Sequence, residues 1–427
     1  MMLNLIGVIV AFILIIFLIR KKINFGLSLI IGSLVVGVFS LQEIPLVDIP
    51  KAFIEAIIYS FEKPGVKTDT IELAVLLTLI YILARSMQET GAIKKLIDSL
   101  RSIFYKGGTL GVIPAVYGLM PVPGGALFSA PLIDKEGEGY HLSQNQKNFL
   151  NVWFRHIWFP IFPISSAMVT ICSDKFSNID VYKLVIADFP VFILFIIIGL
   201  MYIKVFIKKN QVVEKPPERD YTGLIYLLPP VTPVFIYLVF FLLGFQDLKV
   251  YQIKIFIAGT IISIFLLYYL LDISWGEYAK ILKNSLSFNL AIVIFGIMIF
   301  REMIEVSKAD IILVDLIAKL PVPSVVVLIL IPFILGLLTG YNLGAIALSY
   351  PLVEPFFQNT GLNIVGFTSI IFMSSLLGYL ISPIHLCNVV SSDYLKTDVT
   401  RMYRMYLPTV VVALLFQTFF IIIFFTN

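Results

Sequence analysis

Continuous apolar runs are the feature that most constrains this chain. A membrane-spanning helix needs about 20 mostly apolar residues, and hydrophobic residues occupy 59% of the 427 positions. Charged residues occupy only 14%, against about 25% in soluble proteins. The sequence therefore predicts an all-α polytopic membrane protein and excludes a soluble globule, a disordered chain and a nucleic-acid binder. The predicted spans are 3–19, 23–40, 69–88, 144–172, 181–207, 222–244, 252–271, 286–305, 361–391 and 404–425.

Motifs for cofactor, metal and ATP chemistry are absent from the sequence. The two cysteines, Cys172 and Cys387, lie far apart, and the three histidines do not have zinc-ligand spacing. No glycine-rich phosphate-binding loop occurs, and no nucleophile–base pair stands out. We therefore predict neither enzyme activity nor a bound cofactor.

Two further segments are interrupted near their middles. They cover residues 108–133 and 322–357, and their interruptions read Pro121-Val-Pro-Gly-Gly and Gly340-Tyr-Asn-Leu-Gly. Each arm of the first segment has about 13 residues, or ~20 Å of helix. That length is too short for a ~30 Å hydrocarbon core. Each segment is therefore predicted to be a re-entrant helical hairpin.

Basic residues predict the orientation. Arg20, Lys21 and Lys22 follow the first apolar run rather than precede it, so that run is predicted to be a retained span with its N-terminus outside. With ten spans and two hairpins, most Lys and Arg residues fall on one side, which the positive-inside rule assigns to the cytoplasm. We predict a multi-pass protein of the inner (plasma) membrane with both termini outside. The polar segment 208–221 is predicted to be a cytoplasmic linker.

The two halves of the sequence resemble each other. Residues 79–87 align with 295–303, 118–126 with 336–345, and 172–174 with 391–393, at an offset between 216 and 220 residues. An odd number of spans between the copies makes the repeat inverted, as in many secondary transporters. The predicted organisation is scaffold spans in 1–68, a first repeat in 69–207, the linker in 208–221, scaffold spans in 222–285 and a second repeat in 286–427.

Each repeat also contains a long apolar run with internal prolines. Pro160 and Pro163 lie inside 144–172, and Pro383 lies inside 361–391. Proline removes a backbone donor and clashes with the preceding turn. Freed backbone groups at membrane depth are tolerated only where protein or a wet cavity satisfies them. We therefore predict two broken transmembrane helices that meet the two hairpin tips at one polar site.

This pattern resembles the ion transporter superfamily, which includes divalent anion–sodium symporters, citrate carriers and gluconate permeases. Within it, the chain is most similar to a prokaryotic integral-membrane family related to gluconate permeases. The resemblance covers nearly the whole chain and is carried by residues 118–131, 156–166, 336–351 and 377–392. It implies an elevator-type movement and a homodimer formed by the scaffold spans. Sodium-dependent dicarboxylate carriers have Ser-Asn-Thr at both hairpin tips, which this chain lacks, so the coupling ion stays open between H⁺ and Na⁺.

Candidate site residues lie at the hairpin tips and the helix breaks. Arg155 and His156 are ionisable groups inside an apolar run, where such groups are usually functional. The alternatives are an arginine that reaches back to the headgroups and a structural histidine. The predicted substrate-binding residues are Pro123, Gly124, Gly125, Arg155, His156, Ser165, Ser166, Asn342, Gly344, His385 and Asn388. A sodium ion, if one binds, is predicted near Asn342, Ser391 and Ser392.

These features predict a secondary active transporter of small organic anions, in particular carboxylates. The alternative is a cation–proton antiporter, which needs an acidic residue at depth. Segments 108–133, 144–172, 322–352 and 361–391 contain no Asp or Glu, and this absence favours an anion carrier. A channel and a membrane-embedded enzyme are further alternatives. The predicted partners are a small anionic substrate, the lipid bilayer and a second copy of the chain.

Overall fold

The chain folds almost entirely as α-helices in a computed structural model, which describes residues 2–104, 107–119, 125–207, 218–309, 312, 322–397 and 399–427. The first half contains α1 (Met2–Arg20), α2 (Phe25–Phe39), α3 (Asp48–Ile57), α4 (Asp69–Glu89), α5 (Ala92–Ile103), α6 (Thr109–Gly118), α7 (Ala126–Glu138), α8 (Gln144–Arg155), α9 (Ser166–Cys172) and α10 (Val181–Phe206). The second half contains α11 (Leu228–Leu242), α12 (Leu248–Leu270), α13 (Trp275–Ser285), α14 (Asn289–Val306), α15 (Ser324–Thr339), α16 (Asn342–Val353), α17 (Ile364–Leu380), α18 (Leu386–Tyr394) and α19 (Val399–Phe424).

Little other regular structure accompanies these helices in the described ranges. Strands β1 (Tyr59–Ser60) and β2 (Gly65–Val66) pair antiparallel between α3 and α4. Short 3₁₀ helices cover Thr222–Leu227 and Glu354–Asn359. The predicted all-α class is confirmed.

Most predicted spans correspond to helices that are long and apolar enough to cross a bilayer. Among the described residues these are Leu3–Arg20, Asp69–Glu89, Val181–Phe206, Thr222–Leu242, Leu248–Leu270, Trp275–Val306 and Met402–Phe424. Large apolar side chains, including Ile13, Leu242 and Phe419, are exposed on these helices. Exposed apolar surface of this extent fits contact with lipid. The protein is therefore a multi-pass membrane protein.

The helix formed by the predicted span 23–40 is shorter than the sequence predicted. Helix α2 begins after Asn24, whose side chain accepts hydrogen bonds from two backbone N–H groups of the first turn, and it has 15 residues. It packs between α1 and α14. Its Gly26 lies so close to α14 that a Cβ atom there would overlap the backbone at Ile292. This short helix is therefore positioned by close contact between its backbone and that of α14.

The two interrupted segments form packed helix pairs. Helices α6 and α7 contact each other, and so do α15 and α16. Helices α15 and α16 have 16 and 12 residues, or ~24 and ~18 Å of helix, so each is shorter than a ~30 Å hydrocarbon core. We call these pairs the first hairpin and the second hairpin. Residues 120–124 of the first hairpin, which include Pro123 and Gly124, lie outside the described residues.

The two proline-containing runs are each divided into two helices. Run 144–172 forms α8 and α9, separated by residues 156–165, and run 361–391 forms α17 and α18, separated by residues 381–385. We call these separations the first break and the second break. Pro160 and Pro163 lie in the first and Pro383 in the second, where the loss of a backbone donor predicts an interruption.

Two predicted connecting segments are only partly described. The amphipathic stretch after α4 forms α5, which buries Ile93, Leu96 and Leu100, whereas its counterpart after α14 lies outside the described residues apart from Ile312. Most of the predicted linker, residues 208–217, also lies outside them. The chain re-enters the described part beside α5, where Ser102 and Asp220 are joined by two hydrogen bonds.

Candidate functional site

A cavity of about 180 Å³ lies where both hairpins and both breaks meet. The first half lines it with the end of α6 and with the first break, and the second half lines it with the tip of the second hairpin and the second break. Leu77 and Ile80 of α4 and Leu290 of α14 complete the apolar wall. The cavity is therefore built from the ends of interrupted helices, where backbone groups lack their usual intrahelical partners.

The second hairpin places Asn342 at the cavity. Helix α15 ends at Thr339, the following Gly340 has a left-handed backbone (φ 60°), Tyr341 is extended, and Asn342 begins α16. A Cβ atom on Gly340 would lie 2.8 Å from a side-chain carbon of Ile384, so glycine suits both the backbone and the close packing here. Asn342 is buried, and neither atom of its amide has a hydrogen-bond partner among the described residues.

The second break places His385 beside that tip. Ser382 donates a hydrogen bond to the carbonyl oxygen of Leu337 at 2.7 Å and fixes the break against α15. Residue His385 is fully buried and immediately precedes α18. Both of its ring nitrogens lack a hydrogen-bond partner in the described part of the chain. Burying an unpaired polar atom costs about 1–3 kcal/mol, so the amide of Asn342 and the ring of His385 are held at the cavity at a cost in stability.

The first break is organised differently, around Arg155. A capping box formed by Ser143 and Gln146 starts α8, and the helix ends at Arg155. The guanidinium group of Arg155 donates from Nη1 to the carbonyl oxygen of Tyr117 at 2.8 Å. It also packs against Gly125, where a Cβ atom would overlap the guanidinium group. Arg155 thus spans both arms of the first hairpin while it lines the cavity.

His156 has partners on both ring nitrogens. Its Nδ1 lies 2.6 Å from the carbonyl oxygen of Val152, and its Nε2 lies 3.1 Å from the hydroxyl of Tyr379. A carbonyl oxygen only accepts, so Nδ1 donates and Nε2 accepts from the Tyr379 hydroxyl. The ring centroid of His156 is 4.8 Å from that of His385. The two predicted histidines therefore face each other across the junction of the two halves.

One group of side chains in this cavity has the composition of a metal site. The ligand atoms of His156, His385 and Cys387 all lie within 4.8 Å of one another. Two imidazoles and a thiolate suit borderline metals such as zinc. Ligands around one zinc ion lie roughly 3.5 Å apart, given bond lengths of about 2.1–2.3 Å. The group would have to contract before it could hold a metal.

The structure gathers only part of the predicted substrate set. Arg155, His156, Ser165, Ser166, Asn342 and His385 line the cavity. Ser165 also caps α9 by accepting from the N–H of Met168. Gly125 lies against Arg155. Gly344 faces Phe25, and a Cβ atom added to Gly344 would lie 2.7 Å from the Phe25 ring. Both glycines thus provide close packing to protein groups.

The serines predicted near a sodium ion lie elsewhere in the structure. Ser391 accepts a hydrogen bond from Asn151 at 2.8 Å, and Ser392 accepts one from Asn148 at 2.6 Å. These contacts join α18 to α8. Asn388 points its amide nitrogen at the carbonyl oxygen of Leu380, 3.5 Å away. None of these three residues is among the described residues that line the cavity with Asn342.

Two functional candidates were missed from the sequence. Tyr379 lines the cavity and holds His156, but an aromatic residue in an apolar run gives no signal of this role. Asp188 is fully buried within α10. A carboxyl group inside the predicted span 181–207 was a usable signal, because ionisable groups at membrane depth are usually functional.

The fold and this site define a class: an all-α, multi-pass membrane protein with a largely apolar cavity, lined by a few polar side chains, between two hairpins and two broken helices. A family model matches residues 1–423, and the chain belongs to that family, DUF401, described as a protein of unknown function. No curated protein matches the chain.

Proposed function

We propose that the protein is a secondary active transporter that binds a small organic anion, a carboxylate, in the central cavity. The observation that carries this proposal is the composition of the cavity wall. Among its described lining residues, Arg155 is the only one with a permanent charge, and none is Asp or Glu. The amide of Asn342 and the ring of His385 offer unpaired polar atoms to a ligand.

The electrostatics of the cavity favour an anion. A carboxylate that leaves water must exchange its hydration shell for protein donors. Arg155 supplies positive charge, and the first turn of α16 supplies backbone N–H groups beside Asn342. A helix N-terminus stabilises an anion by about 0.3–2 kcal/mol. Because each contact is modest, we expect an affinity that depends on several contacts together.

The order of elements supports an inverted-repeat, elevator-type carrier. Each half has a span, a helix pair and a divided helix in the same order, and the cavity takes residues from both halves. In this proposal the hairpins enter the membrane from opposite faces, and the hairpins and broken helices move together against a dimeric scaffold. Residence in the inner membrane with both termini outside belongs to the same proposal.

A ligand screen tests the proposed function. Thermal unfolding of the purified protein in detergent would be followed with gluconate, citrate, malate, lactate, chloride, sulfate and phosphate. We expect one or more carboxylates to raise the unfolding temperature of the wild type. The variant Arg155→Gln should lose that shift, whereas Arg404→Gln, at an exposed site on α19, should keep it. Stabilisation by inorganic anions alone, or by none of the panel, would contradict a carboxylate site.

One observation favours the second candidate, a cation–proton antiporter. Asp188 provides a buried carboxyl group, although it lies outside the four central segments. Proteoliposomes with a pH-sensitive dye inside would distinguish the candidates. An antiporter moves protons when Na⁺ or K⁺ is added without any organic anion, whereas the proposed anion carrier does not.

A further inference from the structure

A second buried polar cluster joins three helices. Asp188 of α10 accepts a hydrogen bond at Oδ1 from the hydroxyl of Ser369 on α17, at 2.6 Å. The same Oδ1 accepts from Nε2 of Gln417 on α19, at 2.9 Å. Gln417 Nε2 also lies 3.1 Å from the carbonyl oxygen of Ala187 and 2.8 Å from Ser369 Oγ. Asp188, Ser369 and Gln417 are each at most 1% exposed. We call them the Asp188 cluster.

The Asp188 cluster contains more acceptors than donors. Its donors are one hydroxyl and one amide NH₂ group, and both are directed at Asp188 Oδ1, Ser369 Oγ and the Ala187 carbonyl oxygen. Asp188 Oδ2 and Gln417 Oε1 have no partner among the described residues. An ionised carboxylate would therefore be buried with one oxygen unpaired, which costs several kcal/mol. A proton on Oδ2 removes that charge.

No described basic side chain forms an ion pair with Asp188. The thiol of Cys172, at the end of α9, is a titratable group on an element packed against α10. Gln417 lies 13 residues after Arg404 on α19, or ~20 Å along the helix. The other titratable or charged groups on helices packed against α10 are Tyr379 on α17, Arg401, Tyr403 and Tyr406 on α19, Tyr117 on α6, and Lys147, Arg155 and the adjoining His156 on α8.

Within α10 itself, the remaining ionisable groups near Asp188 have their own positions. Asp180 caps the helix and accepts a hydrogen bond from the Tyr237 hydroxyl at 2.7 Å. Lys183 lies in the first turn of the helix, and Tyr182 donates to the carbonyl oxygen of Val234. Asp188 is thus distinct from the capped end of its helix.

We propose that the Asp188 cluster is a proton-binding site, and that its proton is the coupling ion of the transporter. The second clause rests on the proposed function. Helix α17 connects the two sites, because Ser369 and Tyr379 lie ten residues apart on it, or ~15 Å. The neighbouring Thr368 also donates to Ser177 at 2.7 Å. Loss of the proton would restore the negative charge of Asp188 and change its hydrogen bond to Ser369 on α17. Helix α17 would transmit this change to Tyr379 in the cavity.

Infrared difference spectroscopy tests the site without any organic anion. A protonated carboxyl group has a C=O stretching band above the amide bands, and the band shifts in D₂O. The difference between spectra of wild-type proteoliposomes at near-neutral and at alkaline pH, where exposed carboxylates stay ionised, should contain such a band, and the same difference for Asp188→Asn should lack it. Asp272→Asn, which changes an exposed carboxylate, should keep it. If no band occurs at any pH, or if it persists in Asp188→Asn, the site assignment is overturned.

A second variant keeps Asp188 and changes only its hydrogen bonding. Ser369→Ala removes the donor to Oδ1, so the C=O band should move to higher frequency while the carboxyl still titrates. An unmoved band in this variant would contradict the assignment to Asp188. Exchange of choline for sodium at constant pH should leave the wild-type band unchanged. Loss of the band on sodium addition would show a cation site and overturn the proton assignment.

Proton entry into proteoliposomes tests coupling. Addition of external gluconate, citrate, malate and lactate should acidify an internal pH-sensitive dye in the wild type. Asp188→Asn should lose this acidification while the carboxylates still raise its unfolding temperature. Retained acidification in Asp188→Asn would overturn the coupling role. If the carboxyl band is present but no carboxylate stabilises the protein, the proton site stands and the proposed anion transport fails.

Discussion

The two sides of the cavity hold similar side chains in opposite states. On the first-half side, His156 has partners at both ring nitrogens, and Arg155 is bonded to the carbonyl oxygen of Tyr117. On the second-half side, the ring of His385 and the amide of Asn342 have no partners among the described residues. Since unpaired buried polar atoms are costly, we infer that the second half contacts the ligand and the first half fixes the geometry and charge.

The largest expected effect comes from a negative charge on the second-half side. Asn342→Asp places a carboxylate where we propose that the substrate carboxylate binds. Repulsion and the burial of an unpaired charge should weaken binding by about 100-fold or more, or about 3 kcal/mol. Ligand-dependent shifts in unfolding temperature would measure this. Asn363→Asp is the matched control, because Asn363 caps α17 and aspartate caps equally well. Unchanged binding in Asn342→Asp would remove Asn342 from the site.

The two histidines should separate stability from binding. His156→Phe leaves the Tyr379 hydroxyl without its partner and the Val152 carbonyl without its side-chain donor, so we expect a loss of about 2–3 kcal/mol of stability. His385→Phe removes two unpaired nitrogens, so its stability should stay equal or rise, while carboxylate binding falls. Denaturation in detergent and the ligand screen measure the two effects. The comparison fails if His385→Phe is the less stable variant.

The elements of this fold were largely predictable from the sequence, whereas the polar partners were not. Apolar run length predicted α1, α4 and α10, and prolines predicted both breaks, because these signals act within a short stretch of chain. Ser391 and Ser392 were expected near Asn342, but they pair with Asn151 and Asn148 on α8. Which helix faces meet depends on tertiary packing, and a single sequence does not contain that information in a local pattern.

Asp188 illustrates the same limit from the other side. Its carboxyl group stands out in an apolar run, so the sequence marks it as unusual. Its partners, Ser369 and Gln417, are 181 and 229 residues away in the chain. No spacing rule connects positions so far apart. The four central segments contain no Asp or Glu. The carboxyl group of Asp188 nevertheless contacts the second broken helix, because the neighbouring helix α10 carries it there.

A matched pair of glycines tests how the second-half tip is held. Gly340 and Gly91 both have positive φ, 60° and 73°, but only Gly340 has neighbours within reach of an added Cβ atom. Alanine in a left-handed conformation costs about 1–2 kcal/mol. Gly91→Ala should show that cost alone. Gly340→Ala should lose more stability and also weaken carboxylate binding, because displacement of residue 384 moves His385.

Equal effects of the two alanine variants on stability and binding would show that the tip packs loosely. Thermal unfolding with and without the stabilising carboxylate gives both quantities from one preparation. In that case, ligand binding on the second-half side would depend on its side chains alone. It would not depend on the close approach of the second hairpin to the second break.

The smallest effect is expected outside the spans, at the ion pair of Glu55 and Lys67. The Nζ atom of Lys67 lies 2.7 Å from Oε1 of Glu55. Burial opposes the ionisation of Glu55, but hydrogen bonds from Lys67 and the Phe61 N–H outweigh it and lower the pKa of Glu55 below its usual value. Burial also opposes the charge of Lys67, but the bond to Glu55 outweighs it and raises the pKa of Lys67.

These opposite shifts define the pH window of the pair. The contribution of Glu55 is present above its unfolded pKa of 4.5 and is lost as the pH falls through the lower folded value. The contribution of Lys67 is present below 10.5 and is lost as the pH rises through the higher folded value. Glu55→Gln should therefore cost about 0.5 kcal/mol at neutral pH and nothing in strong acid, with carboxylate binding unchanged. Lys51→Gln, in a more exposed pair with Asp48, should have no measurable effect. A loss of carboxylate binding in Glu55→Gln would mean that hydrogen-bonded groups far from the cavity also determine ligand affinity. The assignment of ligand contact to the second-half side of the cavity alone would then be wrong.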